Sequence, residues 1–76
     1  MTTVRKAFSR NFKRLLVEQD YSMKSFSYIH GFDYSAVWHW AHGRACPSLE
    51  TAFRIAKALE ISMDKLVEGA EIEKSI

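Results

Sequence analysis

The sequence predicts an all-α domain of five short helices, and three observations support this fold class. Apolar residues recur at three- and four-residue steps along most of the chain, a spacing typical of amphipathic helices. The 76 residues include one proline and three glycines, so few positions force a helix to end. Serine or aspartate also precedes most of the apolar runs, as expected of residues that cap a helix N-terminus.

The first predicted helix spans residues 4–18. Phe8, Phe12 and Leu16 recur at helical spacing and form an apolar face, with basic residues on the opposite side. The polar segment over residues 19–21 then interrupts the pattern, so the helix is expected to end at Glu18.

Two short helices are predicted next, joined by a glycine turn. Ser22 can cap a two-turn helix to about His30, because its hydroxyl can accept a hydrogen bond from a free backbone amide. Gly31 then supplies the turn, since glycine adopts a left-handed conformation at little cost. Asp33 caps the third helix, where its charge also favours the positive end of the helix dipole, and Gly43 ends that helix.

The apolar pattern across residues 22–48 is that of a helix-turn-helix motif. Its apolar positions are Phe26, Ile29, Phe32, Val37 and Trp40, and we expect them to pack around the turn. Val37 and Trp40 share one face of the third helix and must point inward. The side chains left for other faces are Tyr34, Ser35, Trp38, His39 and His42. A helix that presents aromatic and hydrogen-bonding groups to solvent is suited to bind a partner, and DNA is the best candidate.

Two more helices complete the predicted domain. Residues 44–47 form a short linker, because Pro47 biases Cys46 away from helical conformation. Ser48 caps helix four, whose apolar stripe contains Leu49, Ala52, Phe53, Ile55, Ala56 and Leu59. Ser62 caps a last short helix through Leu66 and Val67. The domain is therefore expected to cover residues 1–69, followed by a short polar tail over residues 70–76.

Length and composition exclude several classes of protein. The chain is 47% apolar, enough for a globular core, but 76 residues are too few for an internal cofactor cavity. It has no run of about 18 apolar residues that would span a membrane, and its N-terminus lacks the apolar segment of a secretory signal. The single cysteine, Cys46, rules out an internal disulfide and favours a reducing compartment.

The net charge of +2 is unevenly distributed. Residues 1–44 carry seven lysines or arginines against three acidic residues, whereas residues 45–76 carry four against six. This asymmetry favours an anionic partner on one face of the molecule. A solvated first helix would give the same pattern, so charge alone leaves both interpretations open.

Taken together, these residues resemble the Cro/phage-repressor family, also called the XRE-like helix-turn-helix family. The resemblance runs without a gap from about Phe12 to Leu66, and its most family-like part is the closing segment PSLETAFRIAKALEISMDKL. The matching positions are Ser22, Phe26, Gly31, Phe32, Val37, Trp40, Gly43, Pro47, Ser48, Leu49, residues 55–59, Ile61, Ser62 and Leu66. The resemblance implies a five-helix lambda-repressor-like fold, with helix three in the major groove and helix two bracing it across the DNA backbone.

The resemblance also implies which residues contact DNA. The base-reading positions of the family match Tyr34, Ser35, Ala36, Trp38 and His39. Its phosphate-contacting positions match Ser22, Met23, His42 and Arg44. Met23 departs from the family pattern, which commonly has a glutamine there that grips a phosphate. The backbone contact at that end must therefore come from amides, Ser22 or Lys24.

A second departure concerns an ion pair. Many family members carry an arginine late in helix one paired with a glutamate late in helix three, and the matching positions here are Leu16 and Ala41. An ion pair can be replaced by apolar residues at little cost when both partners change together, whereas the loss of one partner costs roughly 3–5 kcal/mol. We therefore predict that Leu16 packs near Ala41 in the core.

Three of these residues keep a second interpretation. Trp38 can contact a thymine methyl or the sugar-phosphate wall, but it can equally anchor a protein partner. Ser35 can act as a second capping group at the start of helix three. His42 can interact with the negative end of the helix dipole instead of a phosphate.

No metal, cofactor or catalytic site is predicted. His39 and His42 are three residues apart, with His30 and Cys46 nearby in sequence, but the family-like core explains these segments without a metal. Cys46 has no base placed to activate its thiol. The sequence contains no phosphate-cradling glycine loop and no triad, so we predict a protein that is not an enzyme and binds no small-molecule ligand.

The predicted function is sequence-specific binding of double-stranded DNA by a small phage- or prophage-type repressor, in the cytoplasm of a bacterial or phage-infected cell. One copy contacts one half-site, so a homodimer on a palindrome is expected. The expected dimer surface contains Ile61, Met63, Leu66, Val67 and Ile72. The alternatives are an antitoxin or restriction-modification controller of the same fold, a protein-interaction module that uses the Trp38 face, and nonspecific DNA coating.

Overall fold

The computed structural model describes residues 2–71, which form five helices and no strand. The helices are α1 (Val4–Glu18), α2 (Met23–His30), α3 (Tyr34–Ala41), α4 (Leu49–Leu59) and α5 (Met63–Leu66). These bounds confirm the predicted all-α fold, although α3 ends two residues before Gly43, with His42 as its C-cap. Across residues 2–71, no helix combines the length and the apolar character needed to cross a membrane.

Side-chain caps hold the starts of four helices. Thr3, Ser22, Asp33 and Ser48 each accept a hydrogen bond from a backbone amide in the first turn of the helix that follows. Such a cap stabilises a helix by about 1 kcal/mol. Ser62 has the extended backbone of a cap residue, but its side chain makes no capping hydrogen bond. The predicted side-chain cap of α5 is therefore wrong.

Aromatic side chains from three helices form the centre of the core. Phe12 of α1 is fully buried and stacks on Phe8, with ring centroids 5.3 Å apart. Phe12 also meets Phe26 of α2 and Trp40 of α3 edge-on. Val37 is fully buried too, which confirms that Val37 and Trp40 form the inner face of α3. Aromatic pairs contribute about 0.5–1.5 kcal/mol beyond their buried area, so they fix α3 firmly against α1 and α2.

The inner face of α2 differs from the predicted one at Ile29. The side chains turned toward the core are Met23, Phe26, Ser27 and His30. These positions lie three or four residues apart and leave Ile29 beside that face, 61% exposed. Ser27 can occupy a buried position because its hydroxyl donates to the Met23 carbonyl at 2.7 Å. The expectation that Ile29 packs around the turn is therefore wrong.

The apolar stripe of α4 is narrower than predicted. Ile55, Ala56 and Leu59 are buried, whereas Leu49 is 79% exposed and Phe53 is 51% exposed. Leu49 and Phe53 are four residues apart, so they share a face of the helix, and that face is turned away from the core. The expectation that they belong to the buried stripe is wrong, and both are available for contact with a partner.

The C-terminal end of the domain is tied to α1. The side-chain amide of Asn11 donates to the carbonyls of Leu66 and Glu68, at 3.1 and 2.9 Å. The Glu71 amide donates to the Thr2 carbonyl at 2.9 Å. Asn11 is almost fully buried, so these bonds satisfy a polar group whose burial would otherwise be costly. They hold α5 over the core, where Leu66 is only 1% exposed.

Candidate nucleic-acid interface

The turn between α2 and α3 determines how α3 is presented. Gly31 ends α2 in the left-handed conformation, with φ of 73° and ψ of 33°, which favours glycine. Phe32 donates its amide to the Ser27 carbonyl at 2.9 Å and stacks on Phe26, with the two ring planes within 6°. The guanidinium of Arg54 lies 4.7 Å from the centroid of the Phe32 ring. These contacts tie the turn to both α2 and α4.

The predicted base-reading residues all lie on α3, but they differ in exposure. Tyr34 is 44% exposed, and Ser35 and His39 are exposed as well. Trp38 is half-buried. Ala36 is half-buried and packs against the core. Four of the five side chains therefore lie where a partner could touch them, and Ala36 offers only a small contact.

The structure bears on two of the alternative interpretations. The carboxylate of Asp33 accepts the Ala36 amide at 3.0 Å, so Asp33 supplies the capping bond and Ser35 stays exposed. Nδ1 of His42 donates to the Trp38 carbonyl at 2.8 Å. His42 therefore interacts with the C-terminal end of α3, as its second interpretation predicts.

Trp38 lies in a cluster of nitrogen-bearing side chains at the end of α3. His42 stacks on its indole, with ring centroids 3.9 Å and planes 18° apart. His39 approaches edge-on at 5.3 Å, and the Arg44 guanidinium lies 5.6 Å from the indole centroid. These four residues are called the Trp38 cluster below. The sequence signal for its main contact is the four-residue spacing of Trp38 and His42, which places them on one face of a helix.

The start of α2 presents backbone amides beside exposed polar groups. Ser22 and Ser25 form a capping box, in which the hydroxyl of each accepts the other's amide at 2.9 Å. The amides of Met23 and Lys24 are left without an intrahelical partner. The Lys24 side chain is exposed, whereas that of Met23 is half-buried against the core. Met23 can therefore contact an anion only through its amide. The capping role of Ser25 was not predicted from the sequence.

Leu16 and Ala41 lie together, as expected from the missing ion pair. Leu16 is 4% exposed and Ala41 is 1% exposed, and both belong to the core. Both also line a cavity of about 290 Å³, whose walls include Lys13, Met23 and His42.

An apolar groove lies between α1, the linker that follows α3, and helices α4 and α5. Its volume is about 430 Å³, and its walls include Val4, Phe8, Leu49 and Met63. Val4 is 49% exposed and Leu49 is 79% exposed, so apolar side chains project from its rim. Exposed apolar groups gathered around a groove are typical of an interaction surface.

The predicted dimer residues lie only partly on this surface. Val67 and Met63 line the groove, with Val67 37% exposed and Met63 half-buried, whereas Ile61 is half-buried against the core and does not line it. Leu66 also lines the groove, but it is 1% exposed because α5 packs on α1 and α4. Ile72 lies outside the described residues.

No group of three or more His, Cys, Asp or Glu side chains within residues 2–71 is placed to hold a metal ion. Cys46 is exposed in the linker that follows α3. In the same part of the chain, every buried side-chain nitrogen and oxygen has a hydrogen-bond partner.

Comparison with known proteins points to one motif. A family model described as helix-turn-helix matches residues 12–66. A hypothetical transcription factor from Neisseria is 20% identical, with a TM-score of 0.78 over 84% of this chain and 74% of that chain. The restriction-modification controller protein C.AhdI from Aeromonas hydrophila is 25% identical, with a TM-score of 0.72 over 79% of this chain and 91% of that chain. No curated protein sequence matches this chain.

Proposed function

The chain belongs to the XRE-like helix-turn-helix family of DNA-binding transcriptional regulators. We propose that it is a small dimeric repressor of the phage or prophage type. The observation that supports sequence-specific binding is the outer face of α3, where exposed polar residues adjoin the Trp38 cluster. Such side chains suit the edges of base pairs in a major groove. Repression would follow from occupation of a promoter.

Each exposed residue of α3 has a chemistry that fits base recognition. The hydroxyl of Ser35 and the ring nitrogens of His39 can donate to or accept from base edges. Tyr34 lies in the first turn, where its hydroxyl can reach a base or a phosphate. Trp38 offers apolar surface to a thymine methyl or to the sugar wall of the groove.

Phosphate contacts are proposed at both ends of the helix-turn-helix motif, the start of α2 and the end of α3. At the start of α2, the amides of Met23 and Lys24 lie beside Ser22 and the Lys24 ammonium, and a helix N-terminus favours anions. At the end of α3, Arg44 supplies a cation, and the imidazolium form of His42 can donate to a phosphate from Nε2 while its Nδ1 donates to a carbonyl. Binding through several phosphates should weaken by orders of magnitude between about 50 and 200 mM salt.

We propose that a second copy of the chain docks on the apolar groove. A two-fold interface must be self-complementary, and this surface combines a concave part with the projecting side chains of Leu49 and Val67. A Leu49→Asp variant should be monomeric by light scattering and keep its far-ultraviolet circular dichroism, because Leu49 is exposed in the single chain. A Leu49→Asp variant that remains a dimer would place the interface elsewhere.

Selection of binding sequences from a random duplex pool at near-physiological salt tests the proposed function. We expect enrichment of a motif with two-fold symmetry, whose half-sites are about one helical turn (~34 Å) or a multiple of it apart. The matched control is His39→Ala, which removes one proposed base contact from an exposed position. It should relax the selected motif at a single position of each half-site.

The other outcomes of this selection separate the alternatives. A pool that stays random although the protein retains DNA in a salt-dependent manner would support nonspecific coating. A protein that retains no duplex even at low salt would support a protein partner for the Trp38 face.

A restriction-modification controller is the second candidate function. The solved controller from Aeromonas hydrophila is 25% identical to this chain, and the match covers 91% of that protein. The two candidates differ in where the selected motif should occur. A controller's motif should lie beside restriction and modification genes in the host genome, whereas a repressor of the phage type should find its motif within a prophage.

A further inference from the structure

His42 is joined to Trp38 by two contacts, one to the side chain and one to the backbone. Its imidazole stacks on the indole, with ring centroids 3.9 Å and planes 18° apart. Its Nδ1 donates to the Trp38 carbonyl at 2.8 Å. A carbonyl only accepts, so this bond assigns a proton to Nδ1 and fixes the direction of the imidazole ring. The fixed imidazole can in turn fix the indole that it covers.

Two other side chains, His39 and Arg44, approach the indole at longer distances than His42 does. His39 meets the indole edge-on, with ring centroids 5.3 Å apart. Arg44 is an exposed side chain whose guanidinium lies 5.6 Å from the indole centroid. Among these three contacts, the stack on His42 is the shortest and the only one in which two rings lie face to face.

We propose that His42 is a positioning residue, which orients the Trp38 indole for DNA before the complex forms. The inference rests on the proposed function of α3 as the base-contacting helix. A side chain that is ordered before binding loses less conformational entropy when the complex forms. The smaller entropy loss raises the affinity roughly two- to tenfold. The role is separate from the phosphate contact proposed for Nε2 of the same ring.

Two substitutions of His42 separate positioning from phosphate contact. His42→Phe keeps a flat ring that can stack on Trp38 but removes both nitrogens, whereas His42→Ala removes the ring as well. We expect the affinity for the selected DNA site to fall roughly two- to tenfold further in His42→Ala than in His42→Phe. Both variants should lose the same amount, up to about one, from the slope of log affinity against log salt, because both lose the phosphate contact that the imidazolium form makes through Nε2.

A measurement on the free protein tests the orientation of Trp38 without DNA. Labelling with 5-fluorotryptophan gives separate fluorine resonances for Trp38 and Trp40, which a Trp38→Phe variant assigns. In His42→Ala, the Trp38 resonance should move toward the position of an exposed fluorotryptophan, and in His42→Phe it should stay near its original position. The buried Trp40 reports on folding and should keep its resonance in both variants.

Two outcomes would overturn the proposal. The first is an equal loss of affinity in His42→Ala and His42→Phe, which would assign His42 a phosphate contact alone. The second is a Trp38 resonance that stays in place in His42→Ala. Failure of the unmodified protein to select any DNA sequence would instead count against the proposed function, and the fluorine measurement would still decide whether His42 orients Trp38.

Discussion

Helix α3 carries two tryptophans, Trp38 and Trp40, whose surroundings differ. Two residues along a helix correspond to about 200° of rotation, so the two indoles leave the helix on nearly opposite sides. Trp40 is 7% exposed and meets Phe12 and Phe32 edge-on, with centroids 6.2 and 5.9 Å apart. Trp38 is half-buried, and its ring contacts are with two imidazoles and a guanidinium.

This difference shows that the neighbours of an indole determine what it contributes. The hydrocarbon rings around Trp40 make it part of the core, where its effect is on stability. The nitrogen-bearing groups around Trp38 make it part of a surface that suits an anionic, hydrogen-bonding partner. Substitutions on the two faces of α3 should therefore change two different measured quantities.

The largest expected effect is that of Trp40→Ala. Removing a buried indole leaves a cavity, so the free energy of unfolding should fall by about 3–5 kcal/mol. Trp38→Ala should change it by less than about 1 kcal/mol, since a half-exposed side chain leaves no internal cavity. Urea denaturation measures the free energy of unfolding of both variants. Equal losses of this free energy would mean that the two faces of α3 contribute equally to stability.

Ala41→Glu should be nearly as destabilising, because it introduces an unpaired carboxylate beside Leu16 on the inner face of α3. The expected loss is roughly 3 kcal/mol of unfolding free energy. Ser35→Glu is the matched control, since it adds the same charge at an exposed position of the same helix. The double variant Leu16→Arg, Ala41→Glu should recover part of the loss, and an unchanged melting temperature in Ala41→Glu would contradict the assigned packing.

Substitutions on the outer face of α3 should lower the affinity for DNA and leave the stability of the fold nearly unchanged. A Trp38→Ala, His39→Ala double variant should lose at least about 2 kcal/mol of specific binding free energy, or roughly 30-fold in Kd. Its far-ultraviolet circular dichroism and melting temperature should stay close to those of the unmodified protein. A double variant that unfolds would show that this face contributes to the core after all.

The smallest expected effect concerns the cap that starts α3. Asp33→Ala removes a hydrogen bond to the Ala36 amide, so the unfolding free energy should fall by about 1 kcal/mol. Ser62→Ala is the matched control, because the Ser62 side chain makes no capping bond. Thermal denaturation should therefore separate two substitutions that look alike in the sequence, and equal effects would contradict the cap geometry.

The helices and three of the N-caps could be predicted from the sequence, because both depend on local spacing. Val4–Glu18 has its predicted bounds, and Ser22, Asp33 and Ser48 make the predicted capping bonds. The inner face of α3 was also predictable, since Val37 and Trp40 are three residues apart in a short helix. Helix bounds and caps can be predicted where the residues that determine them lie within one or two helical turns of each other.

The errors occur where burial depends on elements distant in sequence. Leu49 and Phe53 are apolar and have helical spacing, but the face of α4 that packs against the core is the adjacent one, with Ile55, Ala56 and Leu59. The burial of Leu66 likewise depends on the packing of α5 against α1 and α4. The stack of His42 on Trp38 could have been predicted from the sequence, because residues four apart on a helix are neighbours.

The two hydrogen bonds of Asn11 also have a consequence for synthesis of the protein. They link α1 to carbonyls 55 and 57 residues later in the chain. A ribosome releases α1 before it releases these carbonyls, so the Asn11 amide of a growing chain cannot be buried with its partners until they have been made. The domain is therefore expected to close only once translation has passed Glu68, and until then the aromatic face of α1 is open to chaperones and proteases.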